Sequence, residues 1–562
     1  MENEKLPIKF FAPREVDELR IEGNKNSEKP KWVLRGKELK QRADSLRLSL
    51  DSLETKFSMR KSSPVPFSFI VKLQSDATAK SKREDITNLF EQKSFGGVVG
   101  LTDTNKLIVA LDSLEELKEV ANRINDYEIN DYAISCIEDF EEFVPYIVKG
   151  KKECNYKIKL VDYQNYEQNL AMRRRLEHTL NKEGIDYTKT DYSEEYYIYK
   201  LRNITEKSLD VLKKADIFNA LFSIEPMPKY KVSLDCLKSD NNIPIKKPDD
   251  EKMYITIGIL DNGIANIPHL SPWMEMDRWS PYPKTSINPT HGTFVSGIAL
   301  YGDECEGKIW VDHKGLKIFD AAVFPDVTKE GLDEDELIAN IKDVIRLYHE
   351  KVKIWNLSIS ITREVIDTKF SDFAIALDSI QDEYNVLICK SAGNCENFTV
   401  SRPKGRIHEG ADSVRSLVVG SVAHKKGKYD YAEVNDPSPF SRVGPGPEYI
   451  IKPEVSHYGG NAGIDPKGRV VTSGVKSFSK EGELAQGVGT SFSTPRITAL
   501  AAGLQQELNE DFDPMLLKAL IIHSASYPED MSVPITCKLR SNGMPVPLLR
   551  NGYSIFNGTK YR

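Results

Sequence analysis

Three separated polar residues in this sequence each stand beside an apolar segment, where they could take part in acid–base or nucleophilic chemistry. Asp261 ends an apolar run and precedes Asn262-Gly263, a turn-forming pair. His291 opens an apolar segment rich in small residues, and Ser491 lies at the start of another. A serine hydroxyl is a weak nucleophile unless a neighbouring base takes its proton, which histidine can do near neutral pH. These residue types therefore predict nucleophilic catalysis by serine.

A fourth segment, Lys390-Ser-Ala-Gly-Asn394, ends in a residue with a side-chain amide. Together with His291-Gly-Thr-Phe-Val-Ser-Gly, Gly489-Thr-Ser-Phe-Ser-Thr-Pro and the segment around Asp261, it resembles the motifs of the subtilisin-like serine proteases, or subtilases. The chain order Asp, His, Ser is also that of subtilisin. The resemblance covers roughly residues 251–525 and joins four motifs in the family's order, which chance does not readily produce.

The resemblance implies a role for each of the four residues. Ser491 would attack the peptide carbonyl while His291 takes its proton as general base and later gives it to the leaving amine. Asp261 would orient the imidazole and stabilise the imidazolium without itself taking the proton. The side-chain amide of Asn394 and the backbone N–H of Ser491 would donate to the oxyanion of the tetrahedral intermediate. The implied activity is that of a serine endopeptidase acting on proteins or peptides, with no cofactor required.

A pocket strand is implied by Asn356-Leu-Ser-Ile-Ser360, which is similar to the family strand that lines the specificity pocket. The resemblance assigns substrate binding to Ser358, Ile359 and Ser360. Ser360 stands where the family usually has glycine, so we expect a narrower cleft than in most members.

Other departures from the family pattern leave the reactive groups in place. Asn262 follows the aspartate where Ser or Thr is usual, Phe294 stands where a second histidine is common, and Phe492 replaces a frequent methionine. The chain between the asparagine and serine motifs is longer than in compact members. The extra stretch, around Gly460–Glu483, predicts a loop near the active site. The other eight histidines lack the flanking pattern of His291 and are interpreted as packed or exposed residues.

These distant residues need a scaffold, and the apolar runs of the second half predict one. Tyr254–Leu260 is a continuous apolar run of the kind found in parallel strands buried on both faces. Similar runs recur at Leu316–Val323, Val352–Ser358, Asn385–Lys390 and Leu417–Val422, separated by helical patterns at Asp333–His349 and Asp372–Ile380. The alternation predicts an α/β domain with a parallel sheet flanked by helices, whose functional groups gather at the carboxyl ends of the strands.

The first half predicts two tandem ferredoxin-like modules with the same βαββαβ order. The first has strands at Phe67–Leu73, around Gly96–Leu111 and at Tyr132–Ile137, with helices at Lys82–Gln92 and Leu114–Ile124. The second repeats this order between Tyr156 and Ile224. The predicted domains are an N-terminal helical segment (1–60), the two modules (64–148 and 155–228), a linker (229–250), the catalytic domain (251–526) and a C-terminal extension (527–562) that would be the truncated start of a further domain.

The composition narrows the classes of partner. Hydrophobic residues make up 40% and charged residues 29%, the balance of a globular protein. A formal net charge of −7 argues against a nucleic-acid binder that relies on a basic surface. No apolar segment is long enough for a membrane span, and no secretion signal opens the sequence. Seven cysteines without a CxxC pair suggest neither disulfides nor a metal site, and calcium is not indicated, so a cytoplasmic location fits best.

Two other functions compete with the endopeptidase. The fold could serve as a catalytically silent binding module, which the loss of Asp261, His291, Ser491 or Asn394 would have favoured, yet all four are present. A serine-carboxyl peptidase on a related fold would use an acidic base in place of His291, and the histidine motif argues against it.

The whole arrangement also resembles cytosolic bacterial subtilases associated with AAA-type ATPases in phage defence. This resemblance rests on the long N-terminal region that contains Pro13-Arg-Glu-Val-Asp-Glu-Leu-Arg and on the lack of a signal peptide. It implies an ATPase partner that delivers unfolded substrate or gates the protease.

We expect the full chain to be latent, because an active protease would threaten its own cell. The second module resembles in topology the propeptides of many subtilases, and in that case the segment after Ile224 should lie in or near the substrate cleft. If the modules instead bind a regulatory partner, the linker should lie away from Ser491. Two modules and an N-terminal helix exceed what a removable propeptide requires, so regulation by a partner is the favoured hypothesis.

Overall fold

The computed structural model describes residues 31–59, 64–75, 83–91, 96–103, 105–150, 154–202, 204, 206–231, 237–238, 243–326, 331–361, 363–402, 404–508 and 511–525. The predicted extension 527–562 lies outside these residues. Two compact units are present: one comprises the chain up to residue 227 without residues 190–197, and the other holds residues 190–197 and the chain from Pro228. Within the described ranges, no helix has the length and apolar character needed to cross a membrane.

The first unit begins with a long helix and the first module. The elements are Gly36–Met59 (α1), Phe67–Leu73 (β1), Arg83–Phe90 (α2), Gly96–Asp103 (β2), Lys106–Leu111 (β3), Leu114–Asn125 (α3), Asp131–Cys136 (α4) and Ile137–Glu142 (β4). The four strands form an antiparallel sheet in the order β2-β3-β1-β4, with both helices of the βαββαβ unit in the predicted places. One apolar face of α1 packs into the core of this module through Leu39, Leu46, Leu50 and Leu53.

The predicted strand Tyr132–Ile137 is wrong. Asp131–Cys136 is the short helix α4, and β4 begins only at Ile137. The hydroxyl of Ser135 donates to the carbonyl of Asp131 at 2.6 Å, a contact between residues one helical turn apart. A short and mostly buried apolar run fits a buried strand or a buried helical turn equally well, so the pattern does not decide between them.

The second module repeats the order of the first. The elements are Tyr146–Ile147 (β5), Tyr156–Leu160 (β6), Tyr166–Lys182 (α5), Tyr187–Ser193 (β7), Tyr196–Leu201 (β8), Glu206–Lys214 (α6) and Leu221–Pro226 (β9). The strand order is β5-β9-β6-β8-β7, in which β6 pairs antiparallel with both β8 and β9. The predicted βαββαβ order is therefore confirmed, with β5 added at the edge, parallel to β9.

The second unit is built on a parallel sheet. The elements are Lys229–Lys231 (β10), Leu237–Lys238 (β11), Thr256–Asp261 (β12), Thr290–Glu306 (α7), Lys317–Ala322 (β13), Leu332–Asp333 (β14), Glu334–Tyr348 (α8), Ile354–Leu357 (β15), Ser360–Ile361 (β16), Asp372–Tyr384 (α9), Leu387–Ser391 (β17), Leu417–Val422 (β18), Val455–Tyr458 (β19), Asn461–Ile464 (β20), Val470–Ser473 (β21), Val475–Phe478 (β22), Leu484–Gly487 (β23), Thr490–Leu508 (α10) and Pro514–Ser524 (α11). Six strands pair in parallel in the order β13-β12-β15-β17-β18-β19, which confirms the predicted α/β fold.

The strand order positions the site, because the direction of winding reverses at β12. Strand β13 lies on one side of β12, and β15, β17, β18 and β19 follow on the other. At such a point the connections that leave neighbouring strands diverge and open a crevice at their carboxyl ends. Asp261 is the last residue of β12. Helices α7 and α10 share the apolar core of the sheet through Val295 and Ile497, which lie with Ile259 of β12.

Two intervals predicted to lack regular structure contain strands. The predicted linker includes β10 and β11, and the predicted loop Gly460–Glu483 includes β20, β21 and β22. Strands β20 and β21 form a hairpin, and β22 pairs with β23. The loop prediction is therefore wrong. These strands are two to four residues long, which is too short for a period of two to be recognised.

Candidate active site

The carboxylate of Asp261 and the imidazole of His291 meet at the carboxyl end of β12. Nδ1 of His291 lies 2.9 Å from Oδ1 and 2.8 Å from Oδ2 of Asp261. Because an ionised carboxylate only accepts hydrogen bonds, a neutral imidazole with this contact carries its hydrogen on Nδ1 and keeps a lone pair on Nε2. The side chains of His291 and Asp261 are only 3% and 1% exposed, so water competes little for the contact.

The turn after β12 and the first turn of α7 bring these two residues together. The side-chain oxygen of Asn262 accepts a hydrogen bond from the backbone N–H of Gly292 at 3.1 Å. Gly292 has no room for a side chain, because a Cβ there would collide with the carbonyl oxygen of Gly263. The aspartate turn and the histidine helix are thus joined directly. Asn262 stands out in the sequence only as a departure from the family pattern, and its positioning contact was not predicted.

We expect Asn262→Ala to lower the free energy of unfolding by about 1–3 kcal/mol, because the buried N–H of Gly292 would lose its acceptor. Chemical denaturation followed by tryptophan fluorescence measures this loss, with Ser491→Ala present in every variant to prevent self-digestion. Asn266→Ala is the matched control, since the Asn266 side chain is exposed and accepts from the Ser271 hydroxyl. That change should cost less than about 0.5 kcal/mol. Equal losses in the two variants would contradict the positioning role.

Ser491 is the second residue of α10 and lies beside the segment that follows β15. Its hydroxyl donates to the backbone oxygen of Ser358 at 3.0 Å, and the hydroxyl of Ser358 donates to the backbone oxygen of Ser491 at 3.0 Å. Of the three predicted triad residues, Asp261 and His291 are in contact, whereas the Ser491 hydroxyl donates to Ser358 rather than to His291. A contact between nucleophile and base often tightens only when substrate is bound.

Asn394 follows β17 and lies beside the start of α10, with its side chain exposed. Its side-chain oxygen accepts from the backbone N–H of Thr490 at 2.9 Å and from the Thr490 hydroxyl at 3.1 Å. With the oxygen held in this way, the amide nitrogen is left to donate. The first backbone N–H groups of α10 have no acceptor within the helix and are donors of the same kind. The contact of Thr490 with Asn394 was not predicted from the sequence. The signal available there is the position of Thr490 directly before Ser491, in Gly489-Thr-Ser491.

The predicted substrate-binding residues Ser358 and Ile359 are held against α10. The side-chain nitrogen of Asn356 donates to Ser358 Oγ at 2.9 Å, and its oxygen accepts from the Thr498 hydroxyl at 3.0 Å. The Ile359 side chain is buried. Ser360 begins β16, two residues after Ser358. The pocket segment and the nucleophile are therefore one hydrogen-bonded assembly.

A strand from the predicted linker lies next to this pocket segment. Strand β10 pairs antiparallel with β14 on one side and with β16 on the other. The register places Lys231 opposite Ser360, and the Tyr230 side chain is only 2% exposed. Its ring packs edge-on against Phe373, with centroids 5.2 Å apart. The linker thus begins beside the pocket segment. This position is the one expected if the second module acts like a propeptide, whereas the favoured hypothesis of regulation by a partner places the linker away from Ser491.

A buried carboxylate that the sequence analysis missed, Asp320, lies in β13 next to β12. Its Oδ2 accepts from the backbone N–H of Ile264 at 3.0 Å and from Nε of Arg278 at 2.6 Å. Burial raises the pKa of Asp320 to about 6, with Asp261 adding to the rise and Arg278 opposing it. Asp320 and Arg278 together hold the turn that follows Asp261. The signal available in the sequence is a charged residue inside the apolar run of β13.

The chemistry that this arrangement can perform uses side chains and backbone N–H groups of the protein. It needs a hydroxyl, an imidazole oriented by a carboxylate, and donors for an oxyanion. In the part of the chain that the structure describes, no group of three or more His, Cys, Asp or Glu residues is placed to hold a metal ion.

Solved structures that this chain resembles include subtilisin-related proteases. The epidermin leader peptide processing serine protease (EpiP) of Staphylococcus aureus is 13% identical, with a TM-score of 0.45 over 73% of this chain and 100% of that chain. Fervidolysin of Fervidobacterium pennivorans, a keratinolytic enzyme related to subtilisin, is 14% identical, with a TM-score of 0.46 over 73% of this chain and 63% of that chain.

Comparison of sequences gives a curated relative and a family. The uncharacterized protein y4bN of Sinorhizobium fredii (strain NBRC 101917 / NGR234) is 30% identical in a match covering 32% of this chain and 50% of that protein. The chain thus spans about half the length of this relative. The model described as Subtilase family (Peptidase_S8) matches residues 253–553, an interval that contains Asp261, His291, Asn394 and Ser491. Because this match spans more than half of the 562 residues, the chain belongs to the subtilase family.

Proposed function

We propose that this subtilase is a serine endopeptidase in which Asp261, His291 and Ser491 form the catalytic triad. The observation that carries the proposal is the buried contact of 2.8 Å between Nδ1 of His291 and the Asp261 carboxylate, which leaves Nε2 free to act as a base. As Ser491 Oγ bonds to the substrate carbonyl carbon, its proton passes to Nε2 of His291. That proton then goes to the amine as the C–N bond breaks. In the second half of the reaction, His291 takes a proton from water as the water attacks the acyl carbon. The bond to Ser491 Oγ then breaks, the proton returns to Oγ and the carboxylic acid product leaves.

The negative charge that forms on the carbonyl oxygen would be stabilised by Asn394 and by the backbone N–H of Ser491. The Thr490 contacts support this role, because they fix the Asn394 amide before substrate arrives and no reorganisation is then needed during the reaction. The pocket segment at Ser358, Ile359 and Ser360 would bind the extended substrate beside Ser491.

A fluorophosphonate probe, which reacts with activated serine hydroxyls, tests the proposed activity. Labelling of the wild-type chain, before or after limited proteolysis, supports the peptidase. If the folded protein is labelled in neither state, the catalytically silent binding module is the better description.

The full chain is latent in this proposal, because β10 occupies the groove that an extended substrate would use. A peptide that adds to an exposed strand edge bonds through its backbone. Strand β10 already takes up one edge of β14 and one edge of β16 in this way. The buried Tyr230 ring anchors it against Phe373. A substrate strand would have to displace β10 to reach these edges.

Contacts made by residues 190–197, the tip of the β7–β8 hairpin, support the same proposal within the second unit. The hydroxyl of Tyr192 donates to the carboxylate of Glu334 at 3.1 Å, and the hydroxyl of Tyr196 donates to that of Asp372 at 2.7 Å. These carboxylates stand at the starts of α8 and α9. Helix α8 directly follows β14, and α9 carries Phe373, so the tip contacts the two helices beside the Tyr230 anchor.

We expect Tyr230→Ala in the full chain to raise the rate of cleavage of a short fluorogenic peptide by about tenfold or more. The reason is that truncating a buried aromatic residue removes about 3–5 kcal/mol of packing, which weakens the hold of β10 on the groove. Initial rates at low substrate concentration measure the change. Tyr449→Ala is the matched control, because that side chain is 78% exposed, and it should leave the rate unchanged. A Tyr230→Ala variant as slow as the wild type would favour regulation by a partner.

The remaining part of the proposal is a cytoplasmic role in phage defence with an AAA-type ATPase partner, as the family resemblance implies. The free thiols of Cys305, Cys389 and Cys395 are compatible with a reducing compartment. Copurification of a tagged Ser491→Ala chain with an ATPase from its own host tests the partner. Unchanged phage sensitivity when that variant replaces the wild type would contradict the defence role.

A further inference from the structure

We propose that the pocket beside Ser491 that receives the side chain preceding the scissile bond is built for an acidic residue, and that His408 recognises it. The inference rests on the proposed peptidase function and names the substrate class of that site. His408 was interpreted from the sequence as an ordinary packed or exposed histidine.

The geometry of the reaction decides where that substrate side chain lies. The carbonyl carbon under attack must be next to Ser491 Oγ, with its oxygen pointing to the amide nitrogen of Asn394. Ser491 Oγ lies 3.0 Å from the backbone oxygen of Ser358. The residue that carries this carbonyl is therefore held between two backbone segments, 358–360 and 392–394. Its side chain enters the space that these segments enclose.

His408 lies against the second of these segments. Its backbone N–H donates to the carbonyl of Ala392 at 3.3 Å. A Cβ on Gly393 would come within 2.6 Å of Nδ1 of His408, and Gly393 has a φ of +102°, a conformation that favours glycine. The absence of a side chain at Gly393 thus leaves the imidazole in direct contact with the pocket backbone.

The imidazole of His408 has no partner for either ring nitrogen among the described residues, although the residue is only 5% exposed. A neutral imidazole carries a hydrogen on one of its two nitrogens in either tautomer. A buried donor without an acceptor lowers the stability of the folded protein. A ligand that supplies the acceptor removes this penalty when it binds. His408 is therefore a donor placed to receive an acceptor group from outside the protein.

Positive charge lies around the same backbone segments. The Lys390 side chain is buried, and its ammonium group donates to the carbonyls of Ile359 and Ser391, which are uncharged. Nε of Arg442 donates to the carbonyl of Asn394 at 2.8 Å. Two basic side chains thus bond to the backbone of the pocket itself.

The nearby carboxylates are engaged with other groups. Glu364 accepts from Arg442 at 2.6 Å, and Asp412 accepts from the backbone N–H of Ser371 at 2.6 Å and from that of Gly410 at 2.8 Å. Burial lowers the pKa of His408 to about 2, with Arg442 and Lys390 adding to the effect. Burial also lowers the pKa of Lys390 to about 7. Burial by itself disfavours a charge of either sign. The contributions of Arg442 and Lys390 to the His408 shift, by contrast, reflect positive charge at the imidazole, and that charge favours an entering anion.

A carboxylate is the substrate group that meets both conditions, the unsatisfied donor and the positive surroundings. An amide of the same shape would accept from His408 but would gain little from the charges of Lys390 and Arg442. An apolar side chain would leave the His408 donor without an acceptor. The preference is therefore expected to be for Glu or Asp over Gln, Asn and Leu.

Peptidyl diphenyl phosphonates test this preference on the full chain. Ser491 Oγ bonds to phosphorus while a phenoxide leaves, and the side chain next to phosphorus occupies the pocket. Two reagents that differ only in bearing a Glu-like or a Gln-like side chain are compared by their rates of labelling. Latency slows both alike, so the ratio of rates is the readout. We expect the acidic reagent to react about tenfold faster or more, since hydrogen bonds to charged groups are the stronger ones.

Variants assign the recognition to His408. His408→Leu should bring the ratio close to one, and His408→Gln, which keeps an N–H donor, should retain part of it. His424→Leu is the matched control, because the His424 side chain is also largely buried and packs beside Trp310, with ring centroids 5.8 Å apart. It should keep the wild-type ratio. Thermal unfolding checks that each variant is folded, and the Gln variant decides the matter if the Leu variant is not.

The outcomes separate the two proposals. Labelling of Ser491 by a fluorophosphonate without faster reaction of the acidic phosphonate overturns the acidic pocket and leaves the peptidase standing. An acidic preference that persists in a folded His408→Leu overturns the role of His408. No labelling by the fluorophosphonate overturns the peptidase, and the pocket inference with it.

Discussion

Replacing Ser491 by alanine is expected to abolish labelling by a fluorophosphonate and to lower kcat on a protein substrate by about 10⁶, the scale measured for the nucleophile of subtilisin. Alanine offers no oxygen to form the acyl-enzyme, so only the effect of binding and of the oxyanion donors remains. The assay uses the chain after limited proteolysis or with Tyr230→Ala, so that access to the cleft does not limit the wild-type rate.

The matched control is Ser493→Ala, two residues along the same helix. Ser493 is fully buried, and its hydroxyl donates to the carbonyl of Thr490 at 3.0 Å, so it is turned into the helix. Its removal should leave labelling intact. Labelling that survives in Ser491→Ala and disappears in Ser493→Ala would overturn the choice of nucleophile.

Asn394→Ala is expected to lower kcat by about 10²–10³, which is the loss known for the corresponding asparagine of subtilisin. KM should change little, because the amide nitrogen acts mainly on the charge that develops in the transition state. Steady-state kinetics on a fluorogenic peptide separate the two parameters. Thr490 fixes the orientation of this amide through two hydrogen bonds, so the donor is lost without a general change in the pocket.

Asn397→Ala provides the comparison for this second variant. Asn397 begins a short 3₁₀ helix, Asn397–Val400, three residues after Asn394. Removal of its amide should leave kcat within about twofold of the wild type, since surface changes outside a site have small effects. An Asn394→Ala enzyme with unchanged kcat, or with the whole loss in KM, would contradict the oxyanion role.

The proposal that β10 keeps the chain latent and the proposal that His408 recognises an acidic residue concern neighbouring parts of one groove. Strand β10 runs beside β16, whereas His408 lies behind Gly393, next to Asn394. Tyr230→Ala should therefore change the accessibility of the groove but not the ratio between acidic and neutral reagents. His408→Leu should change the ratio but not the extent of latency. A variant that changed both the extent of latency and the ratio of labelling rates would indicate that access to the groove and selection of the side chain are not separate.

The sequence by itself determined the class of fold and the residues for which we propose the chemistry. Asp261, His291, Asn394 and Ser491 stand in local motifs whose turns and helix starts depend on neighbouring residues, as the Asn262-Gly263 turn directly after Asp261 illustrates. Long apolar runs such as Leu417–Val422 are also local, and this strand has the predicted bounds. Such features are readable because the physical cause lies within a few residues of its effect.

Only the tertiary structure decided which remote groups meet. The polar stretch after Pro228 carries no strand pattern, and β10 forms because two edges more than 100 residues away supply its partners. Asn262 contacts Gly292, and His408 lies against Gly393, and in both cases the partner is not a neighbour along the chain. The helix at Asp131–Cys136 likewise lies largely within the core, with Ala133, Ile134, Ser135 and Cys136 buried. Pairing and burial of this kind depend on which elements lie close together after folding. The local sequence pattern around each residue does not show this.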